Sequence, residues 1–149
     1  MKNYASLAAL LAAAFAAPAM ANEARVEARG GIVWVGGAEE ALAGVAAGYD
    51  FDLGDSKLFA GVEGSADKAL TNGADVVFGV GGRIGAKVSE NGRLYATAGY
   101  SFNAGDAVHV GAGYQHNLTK SVYGKVEYRR YLDNGPDLNA ALIGVGVKF

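Results

Sequence analysis

The run Glu23-Ala24-Arg25-Val26-Glu27-Ala28-Arg29 decides the fold. Every odd position is charged and every even position is apolar, and the even set continues through Ile32 and Trp34. Successive side chains of a β-strand point to opposite faces, so this spacing places all the charge on one face and the apolar groups on the other. A helix would spread both sets around its circumference.

Working outward from that strand, the same period recurs seven more times between turn residues. The spacing predicts strands over Leu42–Leu53, Lys57–Ala66, Ala74–Val88, Arg93–Phe102, Ala107–Leu118, Ser121–Tyr131 and Leu138–Phe149. Gly54-Asp55-Ser56, the polar stretch from Asp67 to Gly73, Asn91-Gly92 and Asp133-Asn134-Gly135-Pro136 separate them, and Asn91-Gly92 is a strong hairpin signal.

Charge decides which face meets water. Beyond Lys2 the chain carries twelve bases and fifteen acids. Seven acids (Glu23, Glu27, Asp50, Asp52, Glu63, Asp75, Glu127) and eight bases (Arg25, Arg29, Arg83, Lys87, Arg93, Lys125, Arg129, Lys148) fall on the polar face of strands. Only Arg130 reads as charged on the apolar face, near a strand end where its stem can snorkel. A charge facing lipid at mid-membrane costs about 2–4 kcal/mol, so this sorting fits a sheet whose apolar face meets hydrocarbon. An open sheet edge in lipid leaves backbone groups unpaired, so the sheet must close on itself. The expected fold is all-β, an eight-stranded antiparallel up-and-down transmembrane β-barrel. Trp34, Phe51, Tyr100, Phe102 and Tyr128 lie near strand ends as membrane-interface aromatics do. Twelve glycines, Gly48, Gly113 and Gly146 among them, share the inward face and leave room there for Arg and Tyr side chains.

Residues 1–21 read as a cleaved signal peptide. Lys2 is the positive region, Leu7 to Ala17 an uncharged run, and Ala19-Met20-Ala21 a small-x-small cleavage site. The apolar run is shorter than the roughly 20 residues of a spanning helix. Residues 22–149 then form the barrel domain, exported through the periplasm. An even strand number returns both termini to one side, expected to be the periplasm. The loops near Gly37, Asn72, Gly105 and Asn134 face outward.

The signal peptide, the eight amphipathic strands, the Lys125-Val126-Glu127-Tyr128-Arg129-Arg130-Tyr131 run and a last strand ending in Phe149 together resemble the OmpA/OmpX/opacity-protein superfamily of small outer-membrane barrels. The resemblance implies an outer-membrane location in a Gram-negative-type bacterium. It also implies that Phe149 closes the strand read by the barrel-assembly machinery. Adhesive members carry long outer loops, and the loops expected here are short.

No cysteine and a net charge of −2 exclude disulfides, thiol chemistry and a basic footprint for nucleic acid. His109 and His116 are the only histidines; they make no metal site and sit in no His-x-Ser pair, so neither a cofactor nor catalysis is expected. His109 reads as a lumen residue and His116 as an interfacial polar residue. An eight-stranded barrel is just wide enough for side chains to fill. The expected role is therefore a structural one in the envelope. The lumen is plugged by charge pairs among Arg25, Glu27, Arg29, Glu63, Arg83, Arg93, Glu127 and Arg129. The expected partners are outer-membrane lipid and lipopolysaccharide, with a monomeric barrel. The alternatives are a narrow porin-like channel, an adhesin-like surface module and a lipid-modifying enzyme.

Overall fold

The structure, a computed structural model, describes residues 22–149. The signal peptide expected over residues 1–21 lies outside the described residues. Eight strands follow in chain order: β1 (Asn22–Val35), β2 (Ala38–Asp52), β3 (Leu58–Ala69), β4 (Val76–Lys87), β5 (Gly92–Phe102), β6 (Ala107–Asn117), β7 (Val122–Leu132) and β8 (Leu138–Lys148). Each pairs antiparallel with the next, and β1 pairs with β8 to close the barrel. At the seam Ala24 and Phe149 exchange backbone N–H···O bonds of 2.9 Å in both directions, so no ladder edge is left there.

The two faces of the sheet are inverted relative to a water-soluble protein. Inside, Arg25 and Glu27 are only 1% and 2% exposed. Outside, Val145, Ile84 and Val126 are more than half exposed. The core of the molecule is therefore its lumen. The outer wall buries apolar area only when something apolar covers it.

One end of the barrel, the terminal end, carries both described chain ends and the turns 53–57, 88–91 and 118–121; the other, the distal end, carries the loops 36–37, 70–75, 103–106 and 133–137. Among the described residues the distal loops are scarcely longer than the terminal turns. Gly36 and Gly37 both adopt positive φ (53° and 89°), as the tight hairpin between β1 and β2 requires. Asn91-Gly92 plays a different part from the one expected. Gly92 is the first residue of β5, and a longer turn over 88–91 is closed by Val88 N–H to the Gly92 carbonyl at 2.9 Å.

Strands β2 and β3 run further toward the distal end than their composition suggests, whereas β4 starts at Val76 and not at the Ala74 expected. β2 begins at Ala38, and β3 continues to Ala69 through the polar stretch expected to be loop. Alternation persists there: Asp67 turns into the lumen, where Arg29 holds it, and Lys68 turns outward. Glu39, paired with Trp34, also lies on the outer face, so Arg130 is not alone there. Asp75 is not a strand residue. It is exposed just before β4, after a turn in which the Ala74 N–H reaches the Thr71 carbonyl. Asp67 takes its place, and the inward count of seven acids and eight bases is unchanged.

Candidate functional site: a charge-paired lumen

All eight residues expected to form the lumen network point into one continuous cluster. They come from β1 (Arg25, Glu27, Arg29), β3 (Glu63), β4 (Arg83), β5 (Arg93) and β7 (Glu127, Arg129). Glu63 is the hub. Its carboxylate lies 2.8 Å from Arg25, 3.2 Å from Arg29 and 2.9 Å from Arg129. Beside it Glu27 faces Lys125 at 2.5 Å and accepts the Tyr123 hydroxyl at 2.8 Å. Glu127 accepts from Arg129, from Lys125 at 3.3 Å and from the Tyr95 hydroxyl at 2.5 Å.

Toward the terminal end a second centre forms on Asp50, which takes both Arg83 Nε (3.0 Å) and Arg83 Nη2. Arg25 Nε lies 3.5 Å and Arg93 Nη1 3.7 Å from the same carboxylate. Arg93 also binds Glu23, and Lys148 closes on Glu23 at 3.1 Å. Toward the distal end Arg29 Nε donates to Asp67 at 2.7 Å. Taking an ion out of water costs several kcal/mol unless it is paired and hydrogen-bonded, and sharing Glu63, Glu27, Glu127, Asp50 and Glu23 among several bases each offsets that cost here.

Aromatic side chains fill the space between the charges. Phe59 and Tyr123 are fully buried, and Arg83 stacks 5.3 Å from the Phe59 ring and 4.8 Å from the Tyr95 ring. Inward glycines make the room. A Cβ on Gly48 would stand 2.6 Å from Arg25 Nη2, and one on Gly146 would stand 2.5 Å from the Tyr123 ring. A barrel this narrow can hold arginines only where the facing strand lacks a side chain.

Sequence reasoning left several network members out. Asp50, Lys125 and Glu23 were legible by their position on the polar face. Asp67 was hidden in a stretch that reads as loop. Phe59, Tyr123 and Gln115 share the parity of the charges, and that parity was the available signal.

The expected interface aromatics form two outward groups. At the distal end Trp34 lies 6.2 Å from Tyr128, and Phe102 lies 5.9 Å from Phe78; Tyr100 stands on the same rim. At the terminal end Phe51 packs edge-on against Tyr49 at 4.9 Å, with Phe149 exposed nearby on the outer surface. Phe78, Tyr49 and Tyr114 are further members. On β1 about ten residues separate the two levels, which at ~3.3 Å per residue and ~40° tilt spans about 25 Å, the height of a lipid-facing apolar band. Arg130, outside the lumen, pairs with Asp137 on the exposed distal rim. His109 is buried, with Nδ1 3.1 Å from Ser101 Oγ, and His116 is exposed, with Nδ1 3.0 Å from the Tyr114 hydroxyl.

A family model described as outer membrane protein β-barrel domain matches residues 6–149. Among solved structures the N-terminal β-barrel domain of Pseudomonas aeruginosa OprF aligns with a TM-score of 0.66 at 18% identity, covering 85% of this chain and 97% of that one. Ail, the attachment invasion locus protein of Yersinia pestis, aligns at 0.61 and 15% identity, over 86% and 97%. The Neisserial surface protein NspA aligns at 0.59 and 14% identity, over 89% and 100%. At these identities the likeness is one of fold. No curated protein sequence gives a match.

Proposed function

The chain belongs to the outer membrane protein β-barrel domain family, and from that premise we propose a structural envelope protein whose lumen is closed by its own side chains. The family places it in the outer membrane. The observation that carries the closed reading is the burial of the central ion pairs: the side chains of Arg25, Glu27 and Lys125 have no accessible surface, and Phe59 and Tyr123 fill the gaps between them. A conducting path needs water along such groups, whereas these face one another as ion pairs with no accessible surface.

The reading is non-catalytic. Ser101 and His109 are hydrogen-bonded but only 4% and 3% exposed, which keeps a lipid ester from reaching them. The short distal loops favour a scaffold over an adhesin. In this account export follows a signal peptide over residues 1–21 and the terminal end faces the periplasm. The wall contacts outer-membrane lipid and lipopolysaccharide as a monomer, and the strand ending at Phe149 is read by the assembly machinery.

Planar-bilayer recording tests closure: the protein is expected to give no reproducible conductance steps, and stable steps would overturn the reading. Deleting Phe149 tests assembly. The deletion is expected to lower the yield of heat-modifiable protein in the outer-membrane fraction, and a normal yield would remove Phe149 from that role.

A further inference from the structure

We propose that the terminal half of the lumen binds a small monovalent inorganic anion, of chloride size, between Arg83 and Gln115. The proposal rests on the closed-lumen reading and adds a ligand to it.

Arg83 spends Nε and Nη2 on Asp50, and Nη2 reaches Gln115 Oε1 at 3.1 Å. Its Nη1 is buried with no hydrogen-bond acceptor among the described residues. The guanidinium is tied to Asp50 through two nitrogens and lies over the Phe59 and Tyr95 rings, which fixes where Nη1 points. Gln115 is fully buried. Its amide oxygen faces Arg83; turning the amide over would set two donors against each other, so Oε1 stays on Arg83 and Nε2 is left as the donor. That nitrogen too has no acceptor among the described residues.

The imbalance is general at this level of the barrel. Among the described residues, the buried side-chain atoms without a hydrogen bond are five nitrogens, on Arg25, Arg83 and Gln115, against two oxygens, on Glu27 and Asn117. Glu27 Oε1 already faces Lys125 at 2.5 Å, and Arg25 Nη1 already faces Glu63 at 2.8 Å. Charge runs the same way. Among the described residues Asp50 is the one carboxylate that Arg83 meets, and it also lies within 4 Å of Arg25 and Arg93.

Buried donors are almost always satisfied, and a buried cation also needs a countercharge. Water would satisfy the donors alone, whereas an anion satisfies donors and charge together. Two donor nitrogens suit a monatomic ion better than a phosphate or carboxylate, whose several oxygens each need a partner once buried.

The test uses the folded barrel purified from membranes and crystallised with bromide in place of chloride. Anomalous diffraction at the bromine edge is expected to show a peak within hydrogen-bonding reach of Arg83 Nη1 and Gln115 Nε2. Gln115→Glu puts a fixed negative charge where the ion would sit, and the peak is expected to vanish while heat-dependent gel mobility shows the barrel still folded. Should Gln115→Glu fail to fold, Gln115→Leu removes the donor without adding charge and is expected to lose the peak as well. A wild-type map with water alone on the two nitrogens would overturn the proposal, as would a bromide peak undiminished in the folded variant.

Discussion

The two faces of β7 use one run of eleven residues to meet opposite solvents. Inward, Tyr123, Lys125, Glu127 and Arg129 are each nearly or wholly buried and each bonded across the lumen. Outward, Val126, Tyr128 and Arg130 are exposed. The inner face is held by pairing in a space with little water, so its order depends on every ion keeping a partner. The outer face has almost no partners in the protein, and its stability is supplied by lipid. Substitutions on the two faces should therefore cost stability for different reasons and in different amounts.

The largest expected effect comes from emptying the inner hub. Glu63→Gln keeps the shape but leaves Arg25, Arg29 and Arg129 without their shared carboxylate. Breaking a buried pair costs about 3–5 kcal/mol, and equilibrium urea unfolding in lipid vesicles should report a loss in that range. A loss no larger than that of an exposed ion pair would show that the lumen is wet.

Charge placed on the outer wall should cost somewhat less and depend on depth. Val145→Arg, halfway between the aromatic levels, is expected to lose about 2–4 kcal/mol, and Leu132→Arg, at the distal rim, about 0–1 kcal/mol. Equal losses at the two depths would break the comparison.

Filling an inner glycine tests packing alone. Gly146→Val drives a side chain into the Tyr123 ring, an overpacking worth about 1–3 kcal/mol by the same unfolding assay. Val147, the next residue and outward-facing, should tolerate a change to Ile without measurable loss. Smallest of all, Arg130→Ala removes an ion pair exposed on the distal rim and should leave the unfolding curve where it was.

The strand alternation of 23–29, repeated seven more times along the chain, was enough to read eight strands and their two faces, because lipid enforces a period of two more strictly than water does; closure followed from the cost of an open edge in lipid. The partners were not legible. Asp50 and Arg83 are 33 residues apart and meet only because β2 and β4 flank β3 at a particular register. Asp67 escaped because a polar stretch within a strand and a loop look alike until Arg29 is seen to hold it. Phe59 and Tyr123 sit on the charged face, where an apolar residue reads as an exception to the pattern. In fact the gaps between stacked guanidiniums need flat rings. Gln115 looked like an ordinary polar residue, and only its burial beside Arg83 makes it a candidate ligand.

Orientation of the faces is the claim on which the rest stands, and the chain has no cysteine to interfere with site-directed labels. Single-cysteine spin labels placed in turn along β8, with the barrel in lipid vesicles, would read it directly. Positions 143, 145 and 147 should collide with oxygen dissolved in the bilayer and be shielded from a water-soluble nickel chelate. Position 144 should be shielded from both. Contact of the odd positions with the aqueous chelate would mean that water, not lipid, covers the apolar wall.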